Sequence, residues 1–262
     1  MILFDTHAHL DDEQFDAVRD QVIERARQVG VESIIAVGTT ADSSRKCLDI
    51  ATCHPGVYAA VGIHPNQSAA AKTGDWDRIV ELARQPRAVA LGETGLDRYW
   101  DYAPFDLQQD FFDRHLRLSQ QVHLPFIVHM RNCGAEILSM LREARSRGAL
   151  LGVMHSFTGD AELAGQCIEL GLYISVAGMV TFKKSDDLRA IAATIPSDRI
   201  LIETDSPYLS PHPKRSQRPN EPALLVHTAA CLAETRGVKL DEFAVQTTSN
   251  AIRLFGLRAI SP

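Results

Sequence analysis

The chain has 262 residues, of which 45% are hydrophobic and 23% are charged, and its formal net charge is −6. These fractions are typical of a globular protein with a sizeable core and exclude a disordered or fibrous chain. The negative charge argues against a protein that coats nucleic acid through overall positive charge, although it is compatible with a local basic rim around a site.

The five cysteines are odd in number and include no C-x-x-C pair, which predicts reduced thiols rather than a disulfide framework. Asp5 interrupts the first apolar run, so we expect no export signal at the N-terminus. No apolar stretch approaches the roughly 18 residues that a membrane-spanning helix needs. The sequence therefore predicts a cytoplasmic protein without a membrane anchor.

The predicted elements alternate from the N-terminus onward. A short apolar run at 2–5 precedes hydrophobic side chains at helical spacing over 11–29, with Asp11 as the N-cap and Gly30 past the helix end. Asp11 and Asp12 are therefore expected to start this helix and to take no part in the chemistry. Further strands are predicted at 33–37, 57–62, 88–92, 126–128, 151–154, 172–176 and 199–204, and further helices at 42–53, 75–84, 106–122, 134–147, 161–170 and 188–193.

Eight short strands, each followed by a helical segment, favour a parallel sheet closed into a (β/α)8 barrel, the TIM barrel. A doubly wound open sheet is the alternative. Barrels of this length routinely form one domain, so we predict a single domain over residues 1–262. The proline-rich stretch at 207–222 is interpreted as the loop after the last strand.

Candidate metal ligands follow six of the eight predicted strands, at the ends where the active site of such a barrel forms. They are His7, His9, His64, Glu93, His129, His155 and Asp205. Imidazole and carboxylate together suit Zn²⁺, Mn²⁺ or Fe²⁺, and carboxylates with water also suit Mg²⁺. Two neighbouring dications need an anionic bridge, and Glu93 fits that role.

Each of these residues alone has a simpler explanation. His7 and His9 can be ordinary polar residues at a strand end, and His64 can be a turn residue before Pro65. Asp205 can cap the turn that begins at the next proline. Seven such residues at one end of a barrel, however, indicate a metal centre.

The alternation of side chains along a strand predicts where the first strand directs its residues. Because residues two apart share a face, Asp5, His7 and His9 should point into the barrel. Phe4 and Thr6 should then face the helices. In this arrangement Asp5 is a candidate partner for a histidine ring.

The segments FDTHAHLDD, GIHP, GETGLDRY, VHMR, MHSFTG, ETDSPYL and NAIRLFGL span nearly the whole chain and resemble, in their order, the TatD-type metal-dependent deoxyribonucleases. That family is similar to the wider amidohydrolase barrels, so the resemblance implies a (β/α)8 fold with a two-metal hydrolytic centre. It also implies that one metal is bound by His7, His9, Glu93 and Asp205. The other would be bound by Glu93, His129 and His155, with His64 beside the site in contact with a substrate phosphate.

Two positions depart from the family pattern. Asn132 stands where the family usually has an aspartate after the H-x-R of the fifth strand. Pro219 is an extra residue in the stretch that the family usually writes R-N-E-P. Neither change touches a metal ligand. Both lie where the substrate is expected to bind, so they bear on substrate preference.

The expected reaction is hydrolysis of a phosphodiester by a metal-activated water. Asp205 is the first candidate for moving the proton of that water, and Glu203, on the same face, is the second. Two divalent ions are expected, with Mg²⁺, Mn²⁺ and Zn²⁺ all left open. Arg131 and a cluster in the last loop are candidates for phosphate contact, the cluster consisting of Lys214, Arg215 and Arg218.

Other charged and aromatic residues have weaker indications. Lys183 and Lys184 precede two aspartates and are expected to be solvated. Four aromatic side chains near the mouth can either stack bases or cover the barrel rim, namely Tyr99, Trp100, Tyr102 and Tyr208.

The predicted function is that of a deoxyribonuclease acting on DNA, and the resemblance suggests a 3′ to 5′ exonuclease. The alternative is a binuclear-metal amidohydrolase or lactonase acting on a small molecule, since the same centre can attack a carbonyl carbon. Many amidohydrolase barrels bridge their metals with a modified lysine on the fourth strand. This chain has Glu93 at that position, which favours the nuclease. A binding protein without turnover is a third possibility. A monomer without an obligate protein partner is expected.

Overall fold

The computed structural model describes residues 1–257. Eight parallel strands pair in chain order. They are β1 Leu3–Ala8, β2 Val31–Val37, β3 Val57–Val61, β4 Ala88–Asp97, β5 Phe126–Arg131, β6 Gly152–Met154, β7 Leu172–Val176 and β8 Ile200–Ile202. The N–H groups of His9 and Asp205 donate across the last seam, to the carbonyls of Ser206 and His7 at 2.8 and 2.9 Å. These bonds close the circle and confirm the predicted (β/α)8 barrel over the open sheet.

Nine helices surround the barrel in the described part of the chain. They are α1 Arg19–Gln28, α2 Ala41–Cys53, α3 Asp75–Leu82, α4 Phe105–Val122, α5 Gly134–Arg147, α6 Ala161–Glu169, α7 Asp186–Thr194, α8 Leu225–Thr235 and α9 Leu240–Leu254. Short 3₁₀ turns occur at Glu13–Phe15, Pro65–Ala70, Gly178–Thr181 and Pro222–Leu224. Among the helices within residues 1–257, none combines the length and apolar character that crossing a membrane requires. The predicted domain end at 262 lies outside the described residues.

The first helix starts later than predicted, at Arg19. Asp12 caps the preceding 3₁₀ turn, where its Oδ1 accepts from the N–H of Gln14 at 2.9 Å. The Oδ2 of Asp11 accepts from the Ser43 hydroxyl at 2.6 Å, at the start of α2. The prediction of Asp11 as the N-cap of α1 is therefore wrong, because its side chain binds the neighbouring helix.

The barrel interior is apolar at its amino end. One or two residues from every strand form a single cluster with the end of α9, a packing that is possible only inside the barrel. Phe4 belongs to this cluster, with its ring 6.0 Å from that of Phe255. Thr6 also points inward, because its Oγ1 lies 3.2 Å from the Oγ of Ser175 in the non-adjacent strand β7. The prediction that Phe4 and Thr6 face the helices is therefore wrong.

A β-bulge explains how His7 nevertheless turns inward. Asp5 pairs with Ile34 and Ala8 pairs with Ala36, so three steps along β1 match two along β2. The extra residue reverses the alternation. Consecutive residues at 6 and 7 then both face the interior.

Strand β4 carries a similar bulge and is longer than predicted. Leu91 pairs with Phe126 and Thr94 pairs with Val128, again three steps against two. Gly92 adopts a φ of 138° in this bulge, and a Cβ there would lie 2.8 Å from the carbonyl oxygen of Ile127. Glycine is therefore required where the strand was predicted to end, and Glu93 lies within the strand.

Candidate metal centre and active site

The carboxyl ends of the strands open into a cavity of about 790 Å³. The predicted site residues that line it are His9, His64, Glu93, His129, Arg131, His155 and Asp205. His7 is fully buried beside them. Asp11 and Asp12, which were expected to take no part, also line the cavity.

Glu93 is the centre of the cluster and is only 3% exposed. Both of its carboxylate oxygens face histidine nitrogens. Oε2 lies 3.3 Å from His7 Nε2 and 3.7 Å from His9 Nε2, while Oε1 lies 2.9 Å from His129 Nδ1, 2.9 Å from His155 Nε2 and 3.4 Å from His64 Nε2. One carboxylate from β4 thus joins histidines that follow or end four other strands.

Asp205 provides a second carboxylate just after β8. Its Oδ1 lies 3.6 Å from His9 Nε2 and 3.9 Å from His7 Nε2. Three overlapping groups have ligand atoms close enough to share an ion: His7 with Glu93 and His155, His7 with His9 and Asp205, and His64 with Glu93 and His129. The structure therefore brings together all seven candidate ligands of the sequence analysis, His64 among them.

The charges of this cluster depend on one another. Burial favours the neutral form of Glu93, but the histidines around it, His155 and His64 foremost, outweigh burial and hold the Glu93 pKa well below its usual range. Burial lowers the pKa of His155, but Glu93 and Glu203 raise it well above its ordinary value. In the same way Asp205 and Glu93 overcome burial and raise the pKa of His9 to about 9.

This donor set fits divalent cations. The buried carboxylates are ionised and draw protons onto neighbouring imidazoles, so the cluster favours positive charge at its centre. Imidazole nitrogens and carboxylate oxygens are also the ligands that Zn²⁺ and Mn²⁺ prefer, and ligand protons leave when a metal binds. The chemistry of the cluster therefore fits the binding of metal ions.

Contacts behind the cluster fix the orientation of two rings. The Nδ1 of His155 lies 3.2 Å from Glu203 Oε1, which also accepts from the N–H of Ser156 at 2.7 Å. The Nδ1 of His9 lies 3.0 Å from the carbonyl oxygen of Val37. Both contacts leave Nε2 directed at the carboxylates. Glu203 is 1% exposed and lies behind His155 rather than on the cavity wall.

Asp5 does not bind a histidine ring, contrary to the prediction. Its Oδ1 accepts from the N–H groups of Thr204 and His7 at 2.9 and 3.3 Å, and its Oδ2 accepts from Thr204 Oγ1 at 2.5 Å. Burial raises the pKa of Asp5 to about 7. The bulge after Asp5 separates its side chain from the ring of His7, so the carboxyl group joins β1 to the end of β8 instead.

Asp97 is a site residue that the sequence analysis missed. It lines the cavity, and its Oδ2 lies 3.1 Å from His129 Nε2 and accepts from Asn66 Nδ2 at 2.9 Å. Burial favours its neutral form, but the bonds from His129 and Asn66 outweigh burial and lower the pKa of Asp97. The signal in the sequence is that Glu93 and Asp97 are four residues apart, because residues an even number apart in a strand share a face. This signal applies only if β4 extends beyond Gly92.

His64 is placed as a hydrogen-bond donor to the cavity. Its Nδ1 accepts from the N–H of Asn66 at 3.1 Å, so the proton of the neutral ring is on Nε2. Burial lowers the pKa of His64 and favours this neutral form. The ring can therefore donate one hydrogen bond toward the centre of the cluster.

The predicted phosphate-binding arginines differ in position. Arg131 lines the cavity, with its guanidinium 3.7 Å from the centre of the Tyr99 ring. Arg218 lies outside the cavity wall and donates to Ser210 Oγ at 3.3 Å. Arg215 stacks 3.6 Å over Phe182. Of these three, only Arg131 is next to the metal cluster.

Comparisons with known proteins agree on one family. The model of the family "TatD related DNase" matches residues 4–256. The chain is 40% identical over 254 residues to the uncharacterised metal-dependent hydrolase YabD of Bacillus subtilis (strain 168), which covers 97% of this chain and 99% of that protein. It is 36% identical over 261 residues to the 3′-5′ ssDNA/RNA exonuclease TatD of Citrobacter koseri, covering 97% and 99%.

A solved structure shows the same architecture. The TatD homologue YJJV from Escherichia coli K12 superposes with a TM-score of 0.91 at 30% identity, covering 98% of each chain. The chain belongs to the TatD related DNase family, whose relatives named here include metal-dependent hydrolases.

Proposed function

We propose that this protein is a metal-dependent deoxyribonuclease that removes nucleotides from DNA in the 3′ to 5′ direction. The observation that carries the proposal is the buried Glu93 carboxylate, which five histidines and the nearby Asp205 surround at the floor of an open cavity. Support for the substrate comes from two relatives, from Citrobacter koseri and Klebsiella pneumoniae, that are named 3′-5′ ssDNA/RNA exonucleases.

Two divalent ions are proposed as cofactors, with Mg²⁺, Mn²⁺ or Zn²⁺ as candidates. The residues proposed to hold them are His7, His9, Glu93, His129, His155 and Asp205. Bound ions would supply an acidified water and neutralise charge on the phosphoryl oxygens.

Asp205 is the proposed proton acceptor. In the reaction the water oxygen forms a bond to phosphorus, the ester P–O bond breaks, the water proton goes to Asp205 and the departing sugar oxygen takes a proton from solvent. The carboxylate of Asp205 lines the cavity, whereas Glu203 is covered by His155. The role proposed for Glu203 is therefore to orient His155, and not to meet the substrate.

His64 and Arg131 are the proposed phosphate contacts. The neutral His64 ring donates its Nε2–H to a phosphoryl oxygen, and the guanidinium of Arg131 faces the same cavity. Guanidinium groups bind phosphate through paired N–H donors. Arg218 would contact the substrate only if the DNA strand continued from the cavity over the loop after β8.

The direct test is digestion of end-labelled single- and double-stranded oligonucleotides with Mg²⁺, Mn²⁺ or Zn²⁺, and with a chelator as control. We expect a metal-dependent ladder that shortens from the 3′ end. Asp205→Asn should nearly abolish it, whereas Asp49→Asn, an exposed change on α2, should not.

Three outcomes would contradict parts of the proposal. Internal cleavage would overturn the exonuclease assignment, and near wild-type activity of Asp205→Asn would overturn its role. If the purified protein holds metal but cleaves no DNA, the nuclease assignment fails. A panel of lactones and amides then tests the amidohydrolase alternative.

The cytoplasmic location and the monomeric state are also proposals. The five cysteines all lie in the described part of the chain and all are free thiols, as a reducing compartment would maintain them. Light scattering of the purified protein should give the mass of one chain. The mass of a dimer would contradict the monomer.

A further inference from the structure

The loop after β4 exposes an unusual set of aromatic side chains. Tyr99, Trp100 and Tyr102, here called the rim aromatics, are 53%, 43% and 62% exposed. Trp100 and Tyr102 are stacked, with ring centres 5.4 Å apart and planes 18° apart, and Tyr99 meets Trp100 edge-on at 4.7 Å. If these aromatic residues only covered the barrel rim, their ring faces would be buried against it.

Hydrogen bonds hold this loop in place. The Oδ1 of Asp97 accepts from the N–H groups of Tyr99 and Trp100 at 2.7 and 3.1 Å. The Arg131 guanidinium covers one face of the Tyr99 ring at 3.7 Å. The rim aromatics are therefore presented by a fixed loop, which reduces the entropy lost when a ligand stacks on them.

The rim aromatics are also connected to the metal cluster. Trp100, Tyr102 and Arg131 line the same cavity as the ligand Glu93. The second oxygen of Asp97 contacts His129, 3.1 Å away, so one carboxylate holds both the loop and a metal ligand. A group stacked on the rim aromatics would therefore lie beside the reacting phosphate.

We propose that the rim aromatics and Arg131 form a stacking subsite for an unpaired nucleobase next to the scissile phosphate. Every base has a π face, so such a subsite tolerates any sequence, and Arg131 adds a cation for the adjoining phosphate. Bases inside a duplex are covered by their neighbours, so the subsite selects single-stranded ends. The inference rests on the proposed nuclease function and narrows its substrate.

A kinetic test compares Trp100→Ala with Trp100→Phe on two single-stranded oligonucleotides. One has ordinary nucleotides at its 3′ end and the other has two abasic residues there. We expect Trp100→Ala to lose about tenfold in kcat/KM on the ordinary end, mainly through KM, as for loss of one stacked base. It should lose nothing on the abasic end, and Trp100→Phe should recover most of the activity. Equal losses on both substrates, or none on either, would overturn the subsite.

A binding test does not depend on turnover. The chain has two tryptophans, and Trp76 packs edge-on against His115 on the outer face of the barrel. In a Trp76→Phe background, Trp100 is the sole tryptophan and reports directly on stacking. With Ca²⁺ in place of the catalytic metal, an ordinary single strand should quench its fluorescence more than the abasic strand or a blunt duplex does.

The two tests separate the subsite from the reaction. Quenching by single strands without cleavage by any metal supports the subsite and overturns the proposed nuclease activity. Cleavage that Trp100→Ala leaves unchanged, together with no quenching, overturns the subsite and leaves the nuclease activity standing.

Discussion

The two ends of the barrel interior differ sharply. At the amino end, side chains such as Phe4 and Leu201 pack with Phe255, the residue directly after α9, into an apolar plug. At the carboxyl end, the same strands lead into ionised carboxylates and histidines whose pKa values are shifted by one another. In this fold, residues at the amino end usually contribute to stability, and residues at the carboxyl end usually carry out the chemistry. Here the bulges of β1 and β4 mark the change from one end to the other.

The bulges show why the boundary lies where it does. Regular alternation would carry Phe4 and Thr6 inward and turn His7 outward. One extra residue in β1 brings His7 into the cluster, and one extra residue in β4 places Glu93 opposite it. Register shifts also occur in the plug, beside Phe4 and Ala60, but the two bulges nearer the carboxyl end are the ones that place His7 and Glu93 in the metal cluster.

The strongest test of this contrast is Glu93→Gln at the carboxyl end. A neutral amide of nearly the same shape should lower metal-dependent hydrolysis about a thousandfold, because the shared anionic ligand is lost. The free energy of unfolding in chelator should also fall, because the protonated histidines around Glu93 lose their buried counterion. Turnover assays and urea titrations measure the two quantities. A Gln variant that stays active would break the division of roles.

The converse change is Phe255→Ala at the amino end. Removing a ring that is 4% exposed and packs on Phe4 should lower the free energy of unfolding by about 3–5 kcal/mol. Specific activity under folding conditions should stay near that of the wild type. A urea titration measures the loss. A variant with the unfolding free energy of the wild type but little activity would show that the plug also shapes the site.

The barrel, and the gathering of histidines and carboxylates at its carboxyl end, could be predicted because their signals are local. Short apolar runs and helical periodicity identify eight units, and each histidine or carboxylate directly follows a run. The inward direction of Phe4 and the extension of β4 to Asp97 could not be predicted in this way. Both depend on how a strand pairs with its neighbour, which the strand's own residues do not encode. The role of Asp11 likewise depends on a contact with a distant segment, the start of α2.

A buried histidine outside both ends sharpens the comparison. The Nδ1 of His115 lies 2.7 Å from the carbonyl of Phe111, and its Nε2 accepts from the N–H of Ile63 at 3.2 Å. Burial lowers its pKa from 6.5 to about 4. Because the unfolded chain takes up the proton more readily, His115 stabilises the fold fully above pH 6.5 and progressively less toward pH 4.

The expected contribution is about 3 kcal/mol lost between these two pH values. His115→Gln removes the titrating group, so the difference in unfolding free energy between wild type and variant should shrink as the pH falls through this window. Urea titrations at several pH values measure the slope. A constant difference would mean that folding does not shift the pKa of His115.

The smallest expected effect tests the link between cluster and rim. Asp97→Asn keeps an oxygen for the N–H groups of Tyr99 and Trp100 but removes the charge that faces His129. Carboxylates that orient a metal-binding histidine typically contribute about 10- to 100-fold to metal affinity or activity, and a loss in this range is expected. Asp49→Asn is the matched control. A fall in metal affinity while Trp100 fluorescence still responds to single strands would show that Oδ1 of Asp97 holds the loop and that Oδ2 independently orients His129. If neither changes, His129 is oriented by Glu93 alone.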